Sequence, residues 1–126
     1  MRLLLDTSIV IRLRQDERRV DRKTRHIIEN ASEVFVSSAS IWEIVLKTSV
    51  RKLDVDINRL EAGLLEAGIT PLPITWTHAC RAYDIAPAHP DPFDRLLLAQ
   101  ATCEPLHLLT SDGALAQYSR DLVITV

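Results

Sequence analysis

The sequence predicts an α/β fold in which a mostly parallel β-sheet is covered by helices on both faces. Strand-sized apolar runs alternate with longer segments in which apolar residues recur at spacings of three and four, the periods of strand and amphipathic helix. Two of those runs, Leu3–Leu5 and Leu106–Leu109, lead directly into helix-initiating polar clusters, Asp6-Thr7-Ser8 and Thr110-Ser111-Asp112. A chain of 126 residues that is 47% hydrophobic and 25% charged, with no repeat or low-complexity tract, has the composition of one domain, so 1–126 is expected to share one core.

Taken in order, Leu3-Leu4-Leu5 is predicted to be a buried strand feeding a helix over Ser8–Leu13, and a second helix is predicted over Arg19–Asn30. Glu33–Val36, with its two β-branched valines, is the second strand, and Ser37-Ser38 opens a helix over Ala39–Thr48. Ile57–Ala67 reads as a helix, Thr70–Ile74 as a proline-flanked strand, and Thr75–Tyr83 and Pro92–Cys103 as helices. Leu106–Leu109 is the fourth strand, Ala114–Tyr118 is apolar-periodic, and Leu122–Thr125 is the fifth. In an open parallel sheet, ligands bind beyond the carboxyl ends of the strands, which is where Asp6 and Asp112 fall.

Several function classes are excluded at this stage. A formal net charge of −2 is not that of a basic nucleic-acid coat, so a polyanion must be held locally. The apolar runs span only a few residues, far short of the roughly 20 of a membrane helix. Asp6 and the arginines that follow break any secretory-signal pattern, and a cytoplasmic location is expected. Cys80 and Cys103 have no partner spacing and read as buried small apolar side chains. His26, His78, His89 and His107 are scattered, with no pair four apart on a helix, which argues against zinc. Three glycines cannot build a phosphate-cradling loop.

Four carboxylates carry the chemistry. Each has a local explanation: Asp6 and Asp112 as helix N-caps, Glu43 as the acid of a Ser40–Glu43 capping box and partner of Lys47, Asp94 as an acid in a first helical turn after Asp91 and Pro92. Local roles require no common location, whereas the sheet topology can bring Asp6, Glu43, Asp94 and Asp112 to one edge. Carboxylates packed together raise one another's pKa and destabilise the fold unless a cation sits among them. An oxygen-only donor set selects a hard ion, Mg2+ or Mn2+ ahead of zinc. The chemistry inferred is metal-assisted hydrolysis of a phosphodiester. Between Arg12 and Arg25 stand seven basic residues against three acidic ones, a local surplus that could lead phosphate toward Asp6. Arg12 and Arg14 are the candidates there, Arg95 another, with Lys47, Arg51 and Lys52 weaker. Thr7, Ser8 and Thr110 read first as turn and capping residues, with hydroxyls available as donors.

Four stretches together, Leu4-Leu5-Asp6-Thr7-Ser8, Ser38–Lys47, Asp91–Ala101 and Leu109–Asp112, resemble a PIN-domain ribonuclease of the VapC toxin type, in the family's order and over nearly the whole chain. The resemblance implies a three-layer α/β/α sandwich with a parallel sheet of four or five strands and a Mg2+- or Mn2+-dependent endoribonuclease. By position it makes Asp6, Glu43, Asp94 and Asp112 the metal-binding and catalytic quartet, with Asp91 as an outer acid. It also implies an RNA substrate, a homodimer and a cognate antitoxin of a type II toxin-antitoxin pair, and no membrane partner. Apolar residues in Leu60–Leu65 and Ile27-Ile28 are candidates for the dimer face. One departure stands out: where the pattern has a glycine before Lys-Leu, this chain has Arg51. Two other readings use the same scaffold. A non-catalytic RNA- or protein-binding module has no physical reason to retain four mutually repelling acids. A phosphoacceptor would need a second strand-end aspartate where Ser8 stands.

Overall fold

The computed structural model describes residues 1–85 and 91–126. In chain order its elements are β1 (Arg2–Leu5), α1 (Thr7–Gln15), α2 (Arg22–Glu29), β2 (Glu33–Ser37), α3 (Ser38–Ser49), α4 (Ile57–Glu66), β3 (Thr70–Leu72), α5 (Trp76–Arg81), α6 (Pro92–Cys103), β4 (His107–Thr110) and β5 (Val123–Thr125). Short 3-10 turns lie at Glu17–Arg19, Ala82–Asp84 and Gly113–Gln117.

All five strands are parallel, in the order β3-β2-β1-β4-β5. The chain therefore winds outward from β1 in one direction through β2 and β3, and in the other through β4 and β5. The reversal lies between β1 and β4, where Leu4 pairs with Leu108 and Leu5 with Leu109. Parallel strands need covered crossovers, and the right-handed rule puts the two directions of winding on opposite faces.

The core shows this directly. On β1, Leu3 and Leu5 point to one face and pack with Ile9 and Val10 of α1, Ile44 of α3 and Leu60 and Leu64 of α4. Leu4 points to the other, against Leu97, Leu98 and Ala101 of α6 and Leu115. Alternation along a strand buried on both sides explains why Leu3-Leu4-Leu5 is uniformly apolar: all three side chains are fully buried. Three layers result, helix on sheet on helix.

Local chemistry moves several boundaries from their sequence-predicted places. The predicted helix over Arg19–Asn30 begins only at Arg22, because Asp21 takes the N-cap and accepts from the Thr24 N–H at 2.7 Å. Asp16 caps a separate 3-10 turn before it. β3 ends at Leu72, one residue before Pro73, which has no N–H to give a ladder. Cys80 is exposed and Cys103 partly so, against the expectation that both are buried. On the short α5 only His78 faces inward, which leaves Cys80 to solvent.

Two helices end alike. At the end of α4 the Gly68 and Ile69 N–H groups donate to the Leu65 and Leu64 carbonyls, and Gly68 takes a left-handed φ of 82°. At the end of α3 the Arg51 and Lys52 N–H groups donate to the Thr48 and Lys47 carbonyls, and Arg51 takes φ of 60°. Both are Schellman caps, which call for glycine at the left-handed position. Arg51, at the position where the resemblance led one to expect glycine, thus holds the conformation that Gly68 holds in the matching cap.

Candidate functional site

At the carboxyl edge of the sheet, where β1 and β4 diverge, an open cleft of about 430 Å³ is lined by Asp6, Thr7, Ser8, Ile11, Glu43, Lys47, Asp91, Asp94, Ser111 and Asp112. Four elements supply the acids. Asp6 lies in the turn from β1 to α1, Glu43 on α3, Asp91 and Asp94 at the start of α6, and Asp112 after β4. The edge position follows from topology, since every loop that leaves a parallel strand at its carboxyl end emerges on this side.

Asp6 is buried and held on both oxygens. Oδ1 accepts from the Thr7 N–H at 2.7 Å, the N-cap bond of α1, while Oδ2 accepts from Thr110 Oγ1 at 2.6 Å and Ser8 Oγ at 3.2 Å. Burial nevertheless raises its pKa, with a smaller contribution from Glu43, although the hydroxyl and amide bonds oppose the shift. Thr110 Oγ1 also accepts from the Asp112 N–H at 3.0 Å, which ties the two strand ends together. Asp112 is exposed and caps the following 3-10 turn through the Ala114 N–H at 2.9 Å. Asp91 caps α6, accepting from the Phe93 N–H at 2.8 Å and the Asp94 N–H at 3.3 Å. Capping and cleft-lining are thus one arrangement: the amide bonds that start each helix also fix the carboxylate at the edge.

Glu43 differs from its sequence reading. The N-cap of α3 is Ser37, whose Oγ accepts from the Ala39 N–H at 3.0 Å, so Ser40 and Glu43 form no capping box. Ser40 instead accepts a hydrogen bond from Thr7 Oγ1 at 2.9 Å, which pins α3 to α1. Glu43, one turn further on, is buried in the cleft, where Lys47 Nζ donates to Oε2 at 2.6 Å.

Asp94 carries the electrostatic signature. Its pKa is pushed up to about 7, first by partial burial and then by the charges of Asp6, Asp91, Glu43 and Asp112. The four predicted acids and Asp91 therefore line one cleft and act on one another. Among the described residues, however, no three of these side chains stand close enough to form a ready-made metal cage. The donor set still suits a hard divalent cation: it is all carboxylate oxygen, it has no histidine or cysteine in its lining, and its acids are mutually repelled.

The predicted basic residues part company. Arg12 stands at the rim, with Nη2 3.4 Å from Ser111 Oγ. Arg14 points to the other side of α1, its guanidinium lying over Gly63 of α4. Arg95 also lies outside the lining, donating from Nη2 to the Ala82 carbonyl at 2.9 Å. Both depart for the same reason, the azimuth that the helix gives each position. Ser111, which bridges to Ser8 Oγ at 3.2 Å, had no sequence signal beyond its place between Thr110 and Asp112. Of the histidines, His89 lies outside the described residues. The expected dimer-face residues Leu60 and Leu64 are consumed by the core, and Ile27 and Ile28 pack against it. Of the expected stretch Leu65 is exposed, and on α3 Trp42 and Leu46, with Val50 at its end, are exposed as well; elsewhere Trp76 and Tyr83 are the most exposed large apolar side chains among the described residues. Among the described residues no helix is long and apolar enough to cross a membrane.

The sequence profile of the PIN domain matches residues 3–121. No curated protein matches the sequence. Among solved structures, the fold is similar to VapBC2 from Rickettsia felis bound to a promoter DNA fragment, at 12% identity and a TM-score of 0.75, covering 99% of this chain and 98% of that one. It is similar to a toxin-antitoxin complex from Klebsiella pneumoniae, at 20% identity and 0.71, covering 98% and 96%. DNA-bound VapBC from Salmonella typhimurium matches at 15% identity and 0.74, covering 99% and 98%. At these identities the likeness speaks for the fold.

Proposed function

Because the chain belongs to the PIN-domain family, we propose that its acid cleft is the active site of a divalent-metal-dependent endoribonuclease, and that the protein is the toxin of a toxin-antitoxin pair. The observation that carries the nuclease reading is the meeting of Asp6, Glu43, Asp91, Asp94 and Asp112, from four separate elements, in one cleft. Capping accounts for Asp6, Asp91 and Asp112 singly, but a fold selected only for stability gains nothing from placing them together with Glu43 and Asp94, since each carboxylate makes its neighbours harder to ionise.

Asp6, Asp94 and Asp112, with Glu43, are the residues that would hold Mg2+ or Mn2+. Such an ion would supply an activated nucleophile at neutral pH and neutralise charge on the phosphate oxygens. The protein's own contribution is orientation. Asp6 is held by three donors and cannot swing away, and the Thr110 bridge keeps Asp112 in register with it. Asp94, whose pKa stands at about 7, exchanges its proton near neutrality, so cation binding there releases a proton. Arg12 at the rim is placed to meet a phosphate of the RNA backbone, as a guanidinium does well. Arg14 and Arg95, engaged elsewhere, have no part in this reading.

The toxin reading and its antitoxin partner are supported by the VapBC and toxin-antitoxin complexes to which the fold is similar. The exposed Trp42, Leu46, Val50 and Leu65 offer an apolar surface for a homodimer. The decisive experiment is RNA cleavage by the purified protein with Mg2+ or Mn2+, with EDTA, and with Asp94→Asn. Cleavage that needs the ion and is lost in the variant supports the proposal, whereas cleavage that survives both EDTA and the substitution overturns it.

A further inference from the structure

Among the described residues, the cleft lining contains a single base, Lys47. Its ammonium donates to Glu43 Oε2 at 2.6 Å, one turn away on α3. Pairs of this spacing are common on open helix surfaces, where solvent screens them and they matter little. Two features separate this one. The Glu43 side chain is only 8% exposed, so its charge is largely withdrawn from water, whereas the Lys47 side chain is 47% exposed and can leave. In addition, Asp91 and Asp94 act on Lys47 from a different element, the start of α6.

A buried carboxylate without a counter-charge is costly, and the acids across the cleft cannot supply one. Lys47 reaches in from the rim with the charge Glu43 needs. We propose that Lys47 is the resident counter-cation of the cleft: its ammonium neutralises Glu43 when no metal ion is bound and is exchanged when a divalent cation enters, so that metal affinity is set by competition with this side chain. The inference rests on the reading of the cleft as a hard-cation site. In the structure one Glu43 oxygen is already committed to Lys47. Loading the cleft is then a replacement of one cation by another, in which the flexible lysine stem lets the ammonium swing toward solvent.

The test is calorimetric titration of Mn2+ into wild-type protein, Lys47→Gln, Lys47→Arg and Asp94→Asn at neutral pH, with melting curves of each in EDTA and in Mn2+. Loss of the competing charge in Lys47→Gln should tighten Mn2+ binding on the order of ten-fold. Its melting temperature should fall in EDTA and be recovered by Mn2+, while Lys47→Arg, which retains the charge, stays close to wild type. If Mn2+ binding is lost in Asp94→Asn but is no tighter in Lys47→Gln than in wild type, the counter-cation role is overturned and the metal site stands. If wild type binds no Mn2+, or binds it regardless of Asp94→Asn, both fall.

Discussion

The acid cleft and the polar cluster between α5 and α6 both remove hydrogen-bonding groups from water, yet they are built on opposite electrostatic terms. Around His78, which is 1% exposed, donors meet acceptors, with Gln100 Oε1 alone in the cluster left without a hydrogen-bond partner among the described residues. Nδ1 accepts from the Thr75 N–H at 3.1 Å and lies 3.3 Å from Gln100 Nε2, which leaves Nε2 to donate to Glu104 Oε1 at 2.8 Å. The Thr75 hydroxyl accepts in return from the His78 N–H at 3.1 Å, completing a capping box on α5. At the cleft, like charges face one another, and Asp94 is pushed up to about 7, first by its partial burial and then by those charges. Burial of polar groups is therefore no mark of a functional site by itself. What distinguishes the cleft is that acids from four elements raise one another's pKa there, with Lys47 the single base in its described lining.

The sharpest way to break this contrast is to remove one charge from each side. Asp94→Asn should lower metal-dependent RNA cleavage by about two orders of magnitude or more, as expected for a group that holds the reacting assembly. The same substitution should leave the metal-free melting temperature unchanged or raised, because it relieves repulsion from Asp6, Asp91, Glu43 and Asp112. His78→Ala should do the reverse. It strips the imidazole from the network, leaving Gln100 Nε2 with its longer 3.4 Å bond to the Pro73 carbonyl and Glu104 without its buried donor, at a cost of about 2 kcal/mol or more in urea unfolding, while Mn2+ affinity is unaffected. A metal-binding defect in His78→Ala, or a fold collapse in Asp94→Asn, would dissolve the distinction.

A gentler probe is pH. Asp94 has a folded pKa of about 7 against an ordinary value of 3.8, so between those values the folded state binds more protons than the unfolded one. Stability of the metal-free protein then falls as pH rises through that window and levels off above it. Asp6, also raised, adds to the slope in the same sense. Asp21, which is lowered mainly by its hydrogen bonds with Thr24, and Lys47, which is raised mainly by Glu43, titrate outside the window. Urea midpoints measured from about pH 5 to 8 should therefore decline in wild type, with a shallower decline in Asp94→Asn. Equal slopes would mean that neither burial nor the neighbouring acids raise Asp94.

Much of this was legible in the chain, and the limits have physical causes. Asp6 and Asp112 could be placed because a strand that turns directly into a helix fixes its junction residue at the sheet edge. The run from Pro92 to Cys103 was legible to the residue, with Asp91 capping it and Pro92 in its first turn. Glu43 fits a capping box in the sequence because Ser37 and Ser40 are both good caps, whereas in the fold Ser37 caps α3 and Ser40 accepts from Thr7 of α1 instead. Arg14 and Arg95 were misplaced because a helical azimuth shifts by about 100° per residue, so a small error in helix phase turns a side chain away from the cleft. Of the His78 cluster only Thr75 is a sequence neighbour: Gln100 and Glu104 stand 22 and 26 positions away and meet His78 only because α5 and α6 pack together.

The smallest effect lies at the end of α3 and bears on the contrast from outside. Arg51 holds a left-handed φ of 60° that Gly68 holds freely in the matching cap of α4. This is strain too, but of the backbone, and no ligand is needed to relieve it, since glycine would. Arg51→Gly should stabilise the protein by about 0.5–1 kcal/mol, the benefit of a glycine in left-handed backbone less the extra entropy it gives the unfolded chain. The Lys47 carbonyl is part of this cap, accepting from the Lys52 N–H at 2.9 Å, so the substitution also asks whether the cleft senses a local change at the helix end that supports Lys47. A gain in stability with unaltered Mn2+ affinity would show that the conflict in the cleft is purely one of charge. A change in affinity would mean that the left-handed turn at Arg51 is part of what positions Lys47 against Glu43.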